Sequence, residues 1–189
     1  MTVSTVGHST HPIEEFIGIL QAHGIRRLVD VRTIPKSRRN PQFNRESLSA
    51  SLPKAGIDYF HLPGLGGLRH PRKDSINTGW RNASFRGYAD YMQTPEFANN
   101  LNHLMELATD APTAIMCAEA VPWRCHRSLI ADALVARGIA VMEILSATKS
   151  QPHGMTAFAQ VEGQRVTYPA ATTSAAATSL DLPLFRQLE

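Results

Sequence analysis

Cysteine is scarce in this 189-residue chain: there are two, Cys117 and Cys125, eight positions apart. That is too few for a disulfide framework. No run reaches the eighteen or more apolar residues that a membrane-spanning helix requires. The opening residues, Met-Thr-Val-Ser-Thr-Val-Gly-His, offer neither a basic stretch nor a continuous apolar one, so no export signal is read there. With no membrane span and no export signal, a cytoplasmic location with reduced cysteines is expected. Net charge is also small, +3 at neutral pH. What is present is a globular composition, 43% hydrophobic and 19% charged, long enough for a core without disulfides or metal.

The few excess cations are unevenly placed. Arg26, Arg27, Arg32, Lys36, Arg38, Arg39 and Arg45 face a single acid, Asp30, between positions 24 and 45. A second stretch sets Arg69, Arg72, Lys73, Arg81 and Arg86 against Asp74. If these segments converge they form an anion site or a nucleic-acid face; otherwise they are solvated surface with arginine stems lying on apolar area.

Periodicity gives an alternation of strands and helices. Strands are expected at Val3–Val6, Leu28–Val31, Ile57–Leu62, Thr113–Cys117 and Ala140–Leu145. Helices are expected after Pro12, with Ser9 or Thr10 as cap, at Arg45–Ala55, at Phe85–Ala108 with a break near Thr94-Pro95, and at Ser128–Arg137. The segment from Pro63 to Asn82 is glycine-rich and aperiodic, a long loop of the kind that carries function. The fold class that follows is α/β: a single domain, a mostly parallel, Rossmann-like central sheet flanked by helices, and a flexible C-terminal tail. The expected organisation is an α/β domain over 1–146, a peripheral extension over 147–169, a flexible linker over 170–179 and a short apolar motif over 180–189.

Ligands of parallel α/β sheets bind beyond the carboxyl ends of the strands. Three polar clusters sit at such ends: Gly7-His8-Ser9, Asp30-Val31-Arg32 and Cys117-Ala-Glu119. The last leads through Pro122-Trp-Arg124 into a helix beginning near Cys125-His-Arg127, and a helix N-terminus favours an anion. On this reading Cys117 and Glu119 face the reacting centre, and His8, Asp30 and His126 position or shuttle protons. Arg32, Ser37, Arg38, Arg124, Cys125 and Arg127 hold an anionic substrate. Plainer readings stand beside these: both cysteines as packing, Asp30 as the partner of Arg32, His8 as a bond to a neighbouring loop.

The order of Asp30-Val31-Arg32 followed by Cys117 at a strand end resembles the rhodanese-like pattern. Cysteine phosphatases place five residues between their cysteine and arginine; here six separate Cys117 from Arg124, and Pro122 removes a backbone N–H that a phosphate cradle would need. Cys117, Glu119, Cys125, His126 and His8 are all metal-capable. The eight-residue cysteine spacing matches no short zinc-knuckle pattern, so no metal is assigned and no cofactor is read.

Several longer matches run in order over about residues 3–146: Thr5-Val-Gly-His-Ser-Thr-His11, Val29-Asp-Val-Arg-Thr-Ile-Pro-Lys-Ser-Arg38, Phe43-Asn44, Leu65-Gly-Gly67, Phe85-Arg-Gly-Tyr-Ala-Asp-Tyr-Met92, Met116-Cys-Ala-Glu119 and Cys125-His-Arg-Ser-Leu-Ile-Ala-Asp132. In them the sequence resembles the bacterial domain of unknown function 488 family. The resemblance implies one α/β domain with one pocket and brings no assigned reaction. Separately, Leu180-Asp-Leu-Pro-Leu-Phe185 resembles the peptide by which bacterial replication and repair proteins bind the sliding clamp. Leu180, Leu182, Leu184 and Phe185 would be its anchors on a tether, although Thr178 or Ser179 stands where a glutamine usually leads. Two functions follow as expectations. One is an enzyme acting on a phosphorylated small molecule, nucleotide or nucleic acid. The other is a non-catalytic, DNA-associated module, a DNA repair candidate, held at the clamp by its tail.

Overall fold

In the computed structural model, residues 1–171 are described, and within them the strands assemble into one sheet of order β3-β2-β4-β1-β5-β6. The strands are β1 Thr2–Gly7, β2 Arg27–Asp30, β3 Asp58–His61, β4 Thr113–Cys117, β5 Ala140–Ser146 and β6 Lys149–Pro152. The first five run parallel and β6 returns antiparallel on the β5 edge. The sequence expectation of a mostly parallel α/β sheet holds.

Alternation along the central strands decides the two faces, because successive side chains of a strand point to opposite sides. Val6, Leu28, Ala114 and Met116 pack on one face with Phe16 and Leu20 of α1 (Ile13–Ala22) and Leu48 of α2 (Arg45–Ser51). Val3, Val29 and Ile115 pack on the other with Leu101 and Leu104 of α4 (Pro95–Leu107) and Leu129 and Leu134 of α5 (Arg127–Val135). Tyr88 and Ala89 of α3 (Ala83–Tyr91) join this second face. Each of the buried Val, Leu, Ile, Met and Phe side chains contributes about 1.5–3 kcal/mol relative to exposure, and burial on both faces explains why β4 reads as an apolar run from Ala114 to Cys117.

Several local expectations are corrected. Neither Ser9 nor Thr10 caps α1: its N-cap position is Pro12, with no side-chain cap bond, and Ser9 instead turns with φ of 48°. The helix expected over Arg45–Ala55 stops at Ser51, because Pro53 starts a separate 3-10 turn. The break at Thr94-Pro95 is real, and Thr94 caps α4 by accepting from the Phe97 amide.

Residues 147–169 contribute more than decoration. After β6, a hairpin of β7 (Gln160–Glu162) and β8 (Arg165–Thr167) returns Val166 and Tyr168 to the core. The Tyr168 hydroxyl donates to the buried Asp132 carboxylate at 2.8 Å. His153 sits between two carboxylates, with Nε2 2.8 Å from Asp132 and Nδ1 2.7 Å from Glu143. Burial pulls the His153 pKa down, and the two carboxylates more than reverse this, so it lies above its ordinary value. The aperiodic 63–82 segment is likewise pinned: Asp90 accepts from Ser75 Oγ, Asn77 Nδ2 and the Arg72 amide. No helix among the described residues is long and apolar enough to cross a membrane. The apolar motif at 180–185 and most of the expected linker lie outside the described residues.

Candidate functional site at the strand ends

Strand order and helix placement together create the site. β1 and β4 are neighbours in register, with Gly7 opposite Cys117. The connection after β1 leads to α1 on one face, and the connection after β4 leads to α5 on the other. Adjacent parallel strands whose following loops part to opposite faces leave a crevice at their carboxyl ends. Here the crevice is a cavity of about 440 Å³ lined by His8, Ser9, Thr10, Arg32, Ile34, Lys36, Ser37, Asn40 and Ala118–Ala120.

Gly7 makes the close approach possible. A Cβ there would stand 1.9 Å from the Glu119 carbonyl oxygen, so only glycine lets the 118–120 loop pass over the end of β1. Backbone bonds then tie the two loops, His8 N to Cys117 O at 3.0 Å and Ser9 N to Ala118 O at 2.9 Å. Arg127, the buried first residue of α5, fixes the same loop from behind by donating to the carbonyls of Glu119 (2.6 Å) and Ala120 (2.9 Å). The sequence reading gave this guanidinium to an anion; its Nη atoms serve the backbone instead.

Arg32 is also engaged. It pairs with Asp30 through Nε at 2.8 Å and Nη2 at 2.6 Å, donates from Nη2 to Phe43 O at 2.7 Å, and places Nη1 3.2 Å from His8 Nε2. Asp30 accepts a further bond from the Tyr59 hydroxyl at 2.8 Å. His8 donates from Nδ1 to Ser9 O and stacks on Phe43 with ring centroids 4.1 Å apart. Burial, and next the charge of Arg32, hold the His8 pKa down to about 4, so the ring is neutral at physiological pH. Its Nε2 then accepts from Arg32.

Cys117 is in the lining neither of this cavity nor of a smaller one that shares Glu119 with it; it is buried, 8% exposed. Its Sγ lies 3.9 Å from His126 Nδ1, and Cys125 Sγ lies 3.7 Å from the same atom. A hydrogen bond from Cys125 holds the Cys117 thiol well below its ordinary pKa, with His126 and Arg127 adding to this against the cost of burial. The same bond and burial push Cys125 well up. His126 Nε2 donates to Val31 O at 3.2 Å, and the ring packs against Tyr88. Cys125, His126, Arg124 and Glu119, with Ser84 and Phe85, line the second cavity of about 150 Å³.

Glu119 therefore borders both cavities, and the first brings it together with His8, Arg32 and Ser37. Arg124 reaches only the second, and Arg38 is exposed outside both linings. Sequence reasoning passed over Thr10 and Asn40 as lining residues and Tyr59 as the second partner of Asp30, and gave Ser9 and Lys36 no role of their own. Lys36 was visible in the basic stretch, and Ser9 and Thr10 directly follow His8; Tyr59, alternating along β3, carried no comparable signal.

A family model described as Domain of unknown function DUF488 matches residues 12–134, more than half of the chain. The chain belongs to that family. The matched span of the DUF488 domain takes in Asp30, Arg32, Cys117, Glu119, Cys125, His126 and Arg127, while His8 and Ser9 precede it. No curated protein and no solved structure matches the chain.

Proposed function

We propose that this DUF488 protein is an enzyme acting on a phosphorylated small molecule, a nucleotide or a nucleic-acid end, bound in the strand-end cavity. The observation that carries this reading is the crevice between β1 and β4, where Lys36 supplies positive charge, Asp30-paired Arg32 lines the wall, and Ser9, Ser37 and Asn40 supply neutral donors around one carboxylate. Lys36 acts as the anion's point charge because Arg32 is spent on Asp30. Glu119, the single carboxylate of the lining, is the general base for a water or hydroxyl attacking the substrate. Neutral His8 is a positioning residue, holding Ser9 through its backbone carbonyl.

The test is turnover and binding across sugar phosphates, nucleotides and short single-stranded DNA. At least one compound should bind and react, with Glu119→Gln keeping the affinity and losing the turnover. Lys36→Gln should weaken binding roughly tenfold, equivalent to about 1.4 kcal/mol. Full turnover by Glu119→Gln, or no phosphorylated compound bound, overturns the reading.

A second reading rests on the tail motif. Leu180, Leu182, Leu184 and Phe185 would hold a non-catalytic, DNA-associated form of the protein at the sliding clamp. It requires salt-dependent DNA binding that survives Glu119→Gln.

A further inference from the structure

Cys117, Cys125 and His126 form the single cluster of three metal-capable side chains among the described residues, with all donor atoms within 4.8 Å of one another. In sequence they look unlike a zinc motif, because the seven-residue gap between the cysteines is wrong for a knuckle. In space the gap is spanned by the loop over Gly7 and the 3-10 turn Pro122–Arg124, which carry the chain from the end of β4 back to the start of α5. We propose that these three residues bind a zinc-class divalent cation, with the fourth coordination position open to the 150 Å³ cavity that Glu119 borders.

Three observations support this. The first is spacing. With zinc–sulfur bonds of about 2.3 Å and zinc–nitrogen bonds of about 2.05 Å, a tetrahedral site separates sulfur from nitrogen by about 3.6 Å. The two sulfurs stand 3.9 and 3.7 Å from His126 Nδ1, so each sulfur–nitrogen edge is within a few tenths of an ångström of that value, and the sulfur–sulfur edge lies within 4.8 Å.

The second is the state of the imidazole. His126 Nε2 lies 3.2 Å from Val31 O and must carry the proton to satisfy that carbonyl. In the tautomer with the proton on Nε2, Nδ1 offers its lone pair on the side where both sulfurs lie. A ligating histidine oriented through its other nitrogen by a carbonyl is the arrangement that fixes metal-binding tautomers. The ring cannot easily turn away: a Cβ on Gly67 would lie 2.5 Å from Nδ1, so the Gly67 backbone is pressed on the ring.

The third is access. Both cysteines are buried, which suits a soft, dry donor set, yet Cys125 and His126 line the second cavity, so a water or substrate atom can reach a metal held between them. On binding, both sulfurs coordinate as thiolates, any thiol proton still present leaves to solvent as its S–H bond is replaced by a sulfur–metal bond, and there is no redox change.

The metal reading stands apart from the substrate reading, and its test separates them. The full-length chain, reduced and stripped with a chelator, is titrated with zinc and with cobalt(II). The expected result is one zinc per chain and, with cobalt, the visible bands of a tetrahedral ion together with sulfur-to-cobalt charge transfer. The wild-type cobalt spectrum needs no variant to fold. Cys117→Ser, Cys125→Ser and His126→Asn should each weaken zinc at least a hundredfold, and Gly67→Ala should weaken it by displacing the ring. Glu119→Gln should leave the stoichiometry unchanged. Cobalt spectra lacking sulfur charge transfer, or zinc affinity unaltered in both cysteine variants, overturn the site. Zinc bound as described with no phosphorylated compound turned over sinks only the substrate reading; turnover by the fully metal-stripped chain with no zinc uptake sinks only this one.

Discussion

Arg127 Nη1 donates to the carbonyl oxygen of Glu119 at 2.6 Å, from a side chain that is fully buried. A second bond runs to Ala120, and no carboxylate forms an ion pair with this guanidinium among the described residues. Its function is to hold the loop on which Glu119 stands. Lysine cannot bridge two carbonyls in one plane. Arg127→Lys should therefore cost about 2–3 kcal/mol by urea denaturation, since charged hydrogen bonds are lost in a buried place. It should also remove substrate binding even though Arg127 lines neither cavity. Wild-type stability in this variant would mean the loop is held by something else.

Asp30 and Arg32 form a buried ion pair extended by Tyr59, and the pair fixes both β2 and the Arg32 edge of the cavity. Removing one charge leaves the other unpaired in a buried place. Asp30→Asn should destabilise by about 3–5 kcal/mol, and Tyr59→Phe by only about 1 kcal/mol. Chemical denaturation of both variants checks the ratio; equal effects would place the anchor on Tyr59 instead.

His153 gives the protein a specific pH dependence. Its pKa is raised above the ordinary 6.5 by Asp132 and Glu143, which hold the protonated ring. A raised histidine contributes stability that is fully present below pH 6.5 and is lost as pH climbs through the folded pKa. The melting temperature should fall over that alkaline window, and in His153→Gln the fall should flatten. Because Asp132 also accepts from Tyr168, the 147–169 segment should loosen first, seen as faster amide exchange at Val166 and Tyr168. A melting temperature that rises with pH in this range would contradict the assignment.

The tail makes its own prediction. Deleting residues 178–189 should abolish association with a purified bacterial sliding clamp and shift the melting temperature by less than about 1 °C, as expected for a tethered peptide. A large drop in melting temperature would mean that the motif packs on the domain.

Much of this was legible in the sequence, and the exceptions share a cause. Apolar runs such as Ala114–Cys117 gave the strands, and polar residues at strand ends pointed to His8 and Glu119, which line the cavity, while Asp30 lies behind Arg32 as its partner. Periodicity carries residue type and face, but not direction within a folded site. Arg127 was thus read as an anion ligand although its Nη atoms donate to backbone carbonyls, whereas the pairing of Arg32 with Asp30 was among the plainer readings of the sequence. Strand order was equally hidden, since nothing local says that β4 inserts between β1 and β2. Lys149–Pro152 gave no signal because it is an exposed edge strand without alternation. The approach of Cys117 to Cys125 and His126 depends on the path of a loop, which spacing alone misjudged.

The central claim is that the crevice between β1 and β4 is where substrate binds. Amide chemical-shift mapping of the isotope-labelled chain, titrated with the tightest-binding phosphorylated compound, tests it most directly. Shifts concentrated at His8–Thr10, Lys36–Asn40 and Ala118–Ala120, and lost in Lys36→Gln, are the predicted result. Shifts that avoid those three segments, or persist unchanged in Lys36→Gln, would contradict it.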